Sequence, residues 1–152
     1  RQAVRRPLHQ EPPPAVGGGG HAMGWLADGE HELEGACGEG FLQGILLSEV
    51  SAPRYTTATQ RRIVMFDEVT GDGRRRARVR DISLEVPWDR VCAYSTGVMP
   101  FPPDMWRQGP EGEVVIFTLD PEVADGRDIV VWPRTDAWTA AARTMGVPEL
   151  KD

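Results

Sequence analysis

Arg61 to Val86, RRIVMFDEVTGDGRRRARVRDISLEV, decides the architecture. An apolar run, Ile63-Val64-Met65-Phe66, leads into Thr70-Gly71-Asp72-Gly73, and a second run returns through Ala77, Val79, Ile82, Leu84 and Val86. Asp-Gly between two β-rich runs is a strong short-range hairpin signal, because both residues tolerate positive φ. The hairpin over 61–86 is therefore expected as the centre of a small antiparallel sheet. On its return strand the apolar positions change parity, from odd at Ala77 and Val79 to even at Ile82, Leu84 and Val86. A period-two pattern changes face only through an inserted residue, which predicts a β-bulge near Arg80 or Asp81.

Working outward, Glu30-His31-Glu32-Leu33-Glu34 alternates, with three carboxylates expected on one solvated strand face. Gly35, Gly38 and Gly40 then punctuate the chain, and Phe41 to Val50 reads as a better strand with a bulge or close backbone approach at Gly44. Ser51 to Gln60, with Pro53 and a threonine-rich run, reads as a loop. Pro87 ends the return strand, and Asp89 to Tyr94 reads as a short strand. Glu113–Leu119 (EVVIFTL) reads as a buried strand and Asp128–Trp132 (DIVVW) as its neighbour, with a turn at Asp125-Gly126 between them. One helix over about 136–145 closes the chain. Thr135 or Asp136 caps it, Trp138, Ala141, Ala142 and Met145 share a face, and Gly146 with Pro148 stops it. The fold class is thus α+β, mainly antiparallel β.

Two segments stand apart. Residues 1–24 carry Arg1, Arg5 and Arg6, then Pro12-Pro13-Pro14 and Gly17 to Gly20. Proline triplets favour extended polyproline II and glycine runs favour coil, so an arm without its own core is expected, ordered only by an outside surface. Residues 25–152 form one β-rich domain, with Trp25 and Leu26 as the first large apolar pair. Within it, 98–112 (VMPFPPDMWRQGPEG) reads as a long proline-rich loop carrying Met99, Phe101, Met105 and Trp106. A loop this apolar folds back as a lid over the core or docks onto something else. An Arg-rich, acid-free beginning that starts at Arg1 rather than Met is expected either of a chain from which a mitochondrial or plastid targeting segment was removed or of a sequence trimmed at its start.

The 152 residues suit one domain plus tails, and the net charge of −6 argues against nucleic acid as the main partner. Sixteen of the 17 basic residues are Arg, a skew that mutational bias in a GC-rich genome produces without functional cause. Cys37 and Cys92 can form one disulfide, but their spacing does not require it. No apolar run approaches the roughly 20 residues that span a bilayer.

Chemistry-bearing motifs are sparse. His21, His31, Glu34 and Cys37 lack the close spacing of a metal site, and the serines sit in no nucleophile elbow. Gly17 to Gly20 follow prolines rather than a strand and precede no Lys-Ser/Thr pair, so they are not a phosphate loop. The sequence thus offers no metal, cofactor or catalytic residue. The run Arg74, Arg75, Arg76, Arg78 and Arg80 at the hairpin tip can hold phosphate or carboxylate bidentately. Arg78 to Glu85, RVRDISLE, resembles the Asp-x-Ser-x-x-Gly segment of PilZ-type cyclic-dinucleotide receptors over fewer than ten residues. Val86 stands where that family has glycine, and no arginine pair lies at the family's upstream spacing, so the resemblance implies no ligand.

The reading that unites these features is a non-catalytic accessory subunit of a multi-protein assembly. It would dock through the arm and through Trp25, Phe101, Met105 and Trp106, with Arg74 to Arg80 as an electrostatic contact. The alternative is a self-contained β-rich module that binds an acidic peptide or nucleotide at the arginine tip.

Overall fold

A computed structural model describes residues 23–44, 50–67 and 82–151. Seven antiparallel strands form one curled, half-barrel sheet, with a single C-terminal helix. The strands are β1 (Glu32–Gln43), β2 (Arg54–Thr59), β3 (Arg62–Phe66), β4 (Ile82–Pro87), β5 (Val91–Pro100), β6 (Glu111–Leu119) and β7 (Asp128–Trp132), followed by α1 (Asp136–Thr144). Their order across the sheet is β4-β3-β2-β1-β7-β6-β5. The expected pairing of β3 with β4 is present, with Ile63 opposite Val86 and Met65 opposite Leu84. This pair lies at one edge of the sheet, however, and not at its centre. The central strand is β1, which pairs with β2 along one side and, through Glu39 to Gln43, with β7 along the other.

The strand parity explains which runs are continuous and which alternate. Both faces of the sheet are covered, so β3 is buried at every position and β7 nearly so. On one face the main core gathers Ile63, Met65, Leu84, Val86, Val115, Phe117, Ile129 and Val131 around Trp138 of α1. The same cluster holds residues of both edge strands, among them Val86 from β4 and Tyr94 from β5. That sharing requires the sheet to curl, as does the three-residue 3-10 turn Trp88–Arg90 that carries the chain from one edge strand straight to the other. On the opposite face a second cluster joins Phe41, Phe101, Met105, Val114 and Val130.

Four expectations need correction. Residues 51–60 are not a loop, since β2 occupies Arg54–Thr59 with Thr56, Thr57 and Thr59 buried. The run is β-branched, which suits a pleated strand, and its hydroxyls find partners; Thr57 Oγ1 donates to the Ala36 carbonyl at 3.2 Å. The glycines at 35, 38 and 40 do not interrupt β1. Gly38 instead lets the neighbouring strand close in, because a Cβ there would collide with the Trp132 carbonyl. Phe41 to Val50 is not one strand, for β1 ends at Gln43 and residues 45–49 lie outside the described residues. Nor is 98–112 one long loop: β5 and β6 stay paired out to Pro100 and Glu111, and only the segment between them, holding the 3-10 helix Pro103–Gln108, caps the hairpin.

The helix reads as expected. Trp138, Ala141 and Ala142 are buried, and Gly146 follows in the left-handed region at φ 81°. Thr135 stands at the N-cap position, but its hydroxyl donates to the Gly35 carbonyl at 3.1 Å and so ties the helix to β1. Residues 1–22 of the arm expected over 1–24, the hairpin tip with Arg74 to Arg80, and the bulge expected near Arg80 or Asp81 lie outside the described residues. Within them, the β3–β4 register shifts by one residue beside Ser83, whose Oγ donates to the Met65 carbonyl at 3.2 Å.

Candidate functional site

The polar residues that the fold draws together are spent on structure. Arg62, second-face residue at the start of β3, is 9% exposed and makes a closed network. Its Nε and Nη2 donate to the two oxygens of Glu30, each at 2.8 Å; Nη1 donates to Glu85 at 2.5 Å, and Nη2 also to the Trp25 carbonyl at 2.9 Å. Glu30 accepts two further bonds, from Thr59 Oγ1 at 2.6 Å and from the Ala27 N–H at 2.9 Å. Burial pushes the Glu30 carboxyl up, but the bonds from Arg62, Thr59 and Ala27 and the Arg62 charge outweigh it and hold the group below its ordinary value. Arg62 in turn is held above its ordinary value: burial opposes its charge, and the two carboxylates more than offset that. Glu30 was expected on a solvated face with Glu32 and Glu34. Only the latter two are exposed, because Glu30 precedes β1 in a turn closed by its N–H on the Ala27 carbonyl at 2.9 Å, which sets its carboxylate against Arg62.

Trp25 belongs to the same construction. It is half-buried, edge-on to Phe66 with ring centroids 5.2 Å apart, and the Arg62 guanidinium lies 5.4 Å from its ring centre. Gln60 and Arg61 clasp the same segment from outside through the His31 N–H and the Gly29 and Asp28 carbonyls. Residues 25–31 are thereby strapped onto the domain's own sheet.

Phe101 and Met105 are 5% and 1% exposed, inside the second cluster. Phe101 meets Trp132 edge-on at 5.6 Å, and Gly112 makes room for both rings, since a Cβ there would run into each. The segment beyond β5 thus folds back over the sheet, and these two side chains are covered by the domain itself. Trp106 lies in the same 3-10 helix, with its side chain outside the described part.

Cys37 and Cys92 are free and exposed; Cys92 is the extra residue where the β5–β6 register shifts between Val91 and Ala93. Tyr55, stacked on Phe66 at 5.9 Å, has its phenol pushed up to about 12 by burial and by Cys37 and Glu32 beside it. Among the described residues no three His, Cys, Asp or Glu come together to hold a metal ion, and no helix is long and apolar enough to cross a membrane.

The sheet has two edge strands, β4 and β5, and the outer edge of β5 is the one that carries exposed apolar side chains. Tyr94 donates its N–H to the Pro148 carbonyl at 2.9 Å and accepts from the Leu150 N–H at 2.7 Å, so the C-terminal segment lies parallel along the edge there. Main-chain groups alternate sides along a strand, so Thr96, Val98 and Pro100 turn theirs outward as Tyr94 does. Among the described residues, no main-chain group pairs with those of Thr96 and Val98 on that side. Pro100 fits the same parity, since a proline in a sheet is tolerated where its missing N–H faces away from the ladder. Val98 (58% exposed) and Leu150 (54%) are the most exposed large apolar residues described, and both sit at this edge. The sequence signal for it is Val98 with Pro100, which the prolines that follow disguise as loop. No protein-family model matches the chain, and no curated protein matches it either.

Proposed function

We propose that the protein is a non-catalytic accessory subunit of a multi-protein assembly, and that it docks through the open edge of β5. The observation that carries this reading is the juxtaposition at that edge of unpaired backbone groups with Val98 and Leu150. Unpaired edge groups template pairing with another chain unless a fold blunts them, and among the described residues only the Tyr94 position of this edge is covered. The buried arginine and carboxylates support the non-catalytic half of the reading. Arg62, Glu30 and Glu85 bond to one another and to the main chain, an arrangement that fixes the sheet rather than facing a substrate.

The test is the native size of the tagged chain in extracts of the cells that make it. Co-sedimentation in a fixed ratio with at least one other polypeptide is expected. A chain that sediments alone, at its own 16.8 kDa, would overturn the assignment.

A further inference from the structure

From the edge geometry we infer that the partner is an extended segment of a different protein, added as a strand beside Thr96–Pro100 with a large apolar side chain laid across Gly97. This rests on the reading of the protein as a docking subunit and names what it docks.

The hydrogen-bonding inventory sets the length. Thr96 and Val98 each present one N–H and one C=O outward, which two partner residues spaced by one can satisfy, and the Pro100 C=O takes the N–H of a third. The residue between them lies beside Gly97, on the face that carries Met99 and Ile116. A Cβ built on Gly97 meets nothing within 4 Å, and its backbone is not in the left-handed region. Glycine is therefore not required there by conformation or by crowding from the described residues. It leaves a flat, vacant place in which a neighbouring strand's bulky side chain can rest. On the other face Val98 stands next to the exposed Glu113, its cross-strand partner, with Glu111 opposite Pro100. A partner with apolar residues toward Val98 and a Lys or Arg toward those carboxylates complements that side.

A second copy of this chain fits the edge poorly. Antiparallel self-pairing centred on Val98 sets each Thr96 carbonyl against Pro100 of the other copy, which has no N–H to give. Centring on Gly97 instead sets Pro100 of one copy against Tyr94 of the other, where Pro148 to Leu150 already occupy the edge. Both registers lose bonds or collide, whereas an unrelated strand is free of either constraint.

The experiment selects binders from a peptide library displayed on phage, using the full chain as bait. Enriched peptides should alternate, with an aromatic or long aliphatic residue flanked by β-branched ones and a basic residue nearby. Their binding should slow amide exchange at Thr96 and Val98 and should weaken by about tenfold or more in Val98→Pro. That substitution removes an outward N–H and leaves the β5–β6 ladder intact, so its melting temperature should match the wild type. Gly97→Val, which fills the vacant place, should weaken the same peptides. Peptides that bind equally to Val98→Pro would overturn the strand-addition inference while leaving the docking-subunit reading standing. A library that yields no binder overturns it as well, and self-association of the chain that Val98→Pro abolishes would make the occupant a second copy. Failure of the subunit reading shows separately, in the native size of the chain in cell extracts.

Discussion

Replacing Arg62 by Met tests the reading that the buried network is a structural clasp. The substitution keeps most of the side-chain volume and removes the charge shared by Glu30 and Glu85. Glu30 would keep its bonds from Thr59 and Ala27, but both carboxylates would lose the guanidinium that they share. Removing one partner of a buried ion pair costs about 3–5 kcal/mol. At ~4 °C per kcal/mol for a chain of this size, the melting temperature should fall by roughly 12–20 °C. The sign of the pH dependence gives a second readout. In the wild type the Glu30 pKa lies below 4.5, so its contribution is present above that value and is lost as pH falls through the folded-state pKa. Without Arg62, burial prevails and the group prefers its proton, so its penalty is felt near neutral pH and relieved in acid. Urea unfolding across the acid range should therefore show the two proteins far apart near neutrality and converging below 4.5. The triple change Arg62→Met, Glu30→Gln, Glu85→Gln should recover most of the loss. A deficit under about 1 kcal/mol for Arg62→Met, or one that does not change with pH, would refute the clasp.

Other outcomes follow from packing and from the phenol. Gly38→Ala should destabilise by roughly 2–3 kcal/mol, because its Cβ meets the Trp132 backbone, whereas Gly97→Ala should be neutral or stabilising by about 0.5–1 kcal/mol in the same urea titrations. Phe101→Ala and Met105→Ala should each lower stability by roughly 2–5 kcal/mol, as for core residues, with circular dichroism melts as the check. Tyr55 should ionise only near about 12, an ultraviolet transition that Tyr55→Phe removes. Its raised pKa means stability is present below the ordinary value of 10.0 and is lost as pH rises from there toward about 12.

Local patterns in the sequence translated well into local structure. The EVVIFTL and DIVVW runs are β6 and β7, the pairing of Ile63 to Phe66 with Ile82 to Val86 is β3–β4, and the Trp138 face is the buried face of α1. Long-range pairing was illegible. A hairpin signal reports the neighbour in sequence and says nothing of β1 joining β2 to β7, so it does not distinguish a hairpin at the centre of the sheet from one at its edge. Composition misled where polar residues are strand formers, as at Thr56 to Thr59, and where prolines sit at outward-facing positions, as at Pro100. Glu30 looked like one of three solvated carboxylates, and only the tertiary approach of Arg62, thirty-two residues on, distinguishes it. The openness of β5 depends on where Pro148 to Leu150 settle, which no residue in Thr96 to Pro100 encodes.

The docking claim is tested most directly by sedimenting tagged wild-type chain and tagged Val98→Pro side by side from extracts of the producing cells. The account predicts a wild type that travels with another polypeptide and a folded Val98→Pro that travels alone. Identical complexes for the two would contradict it.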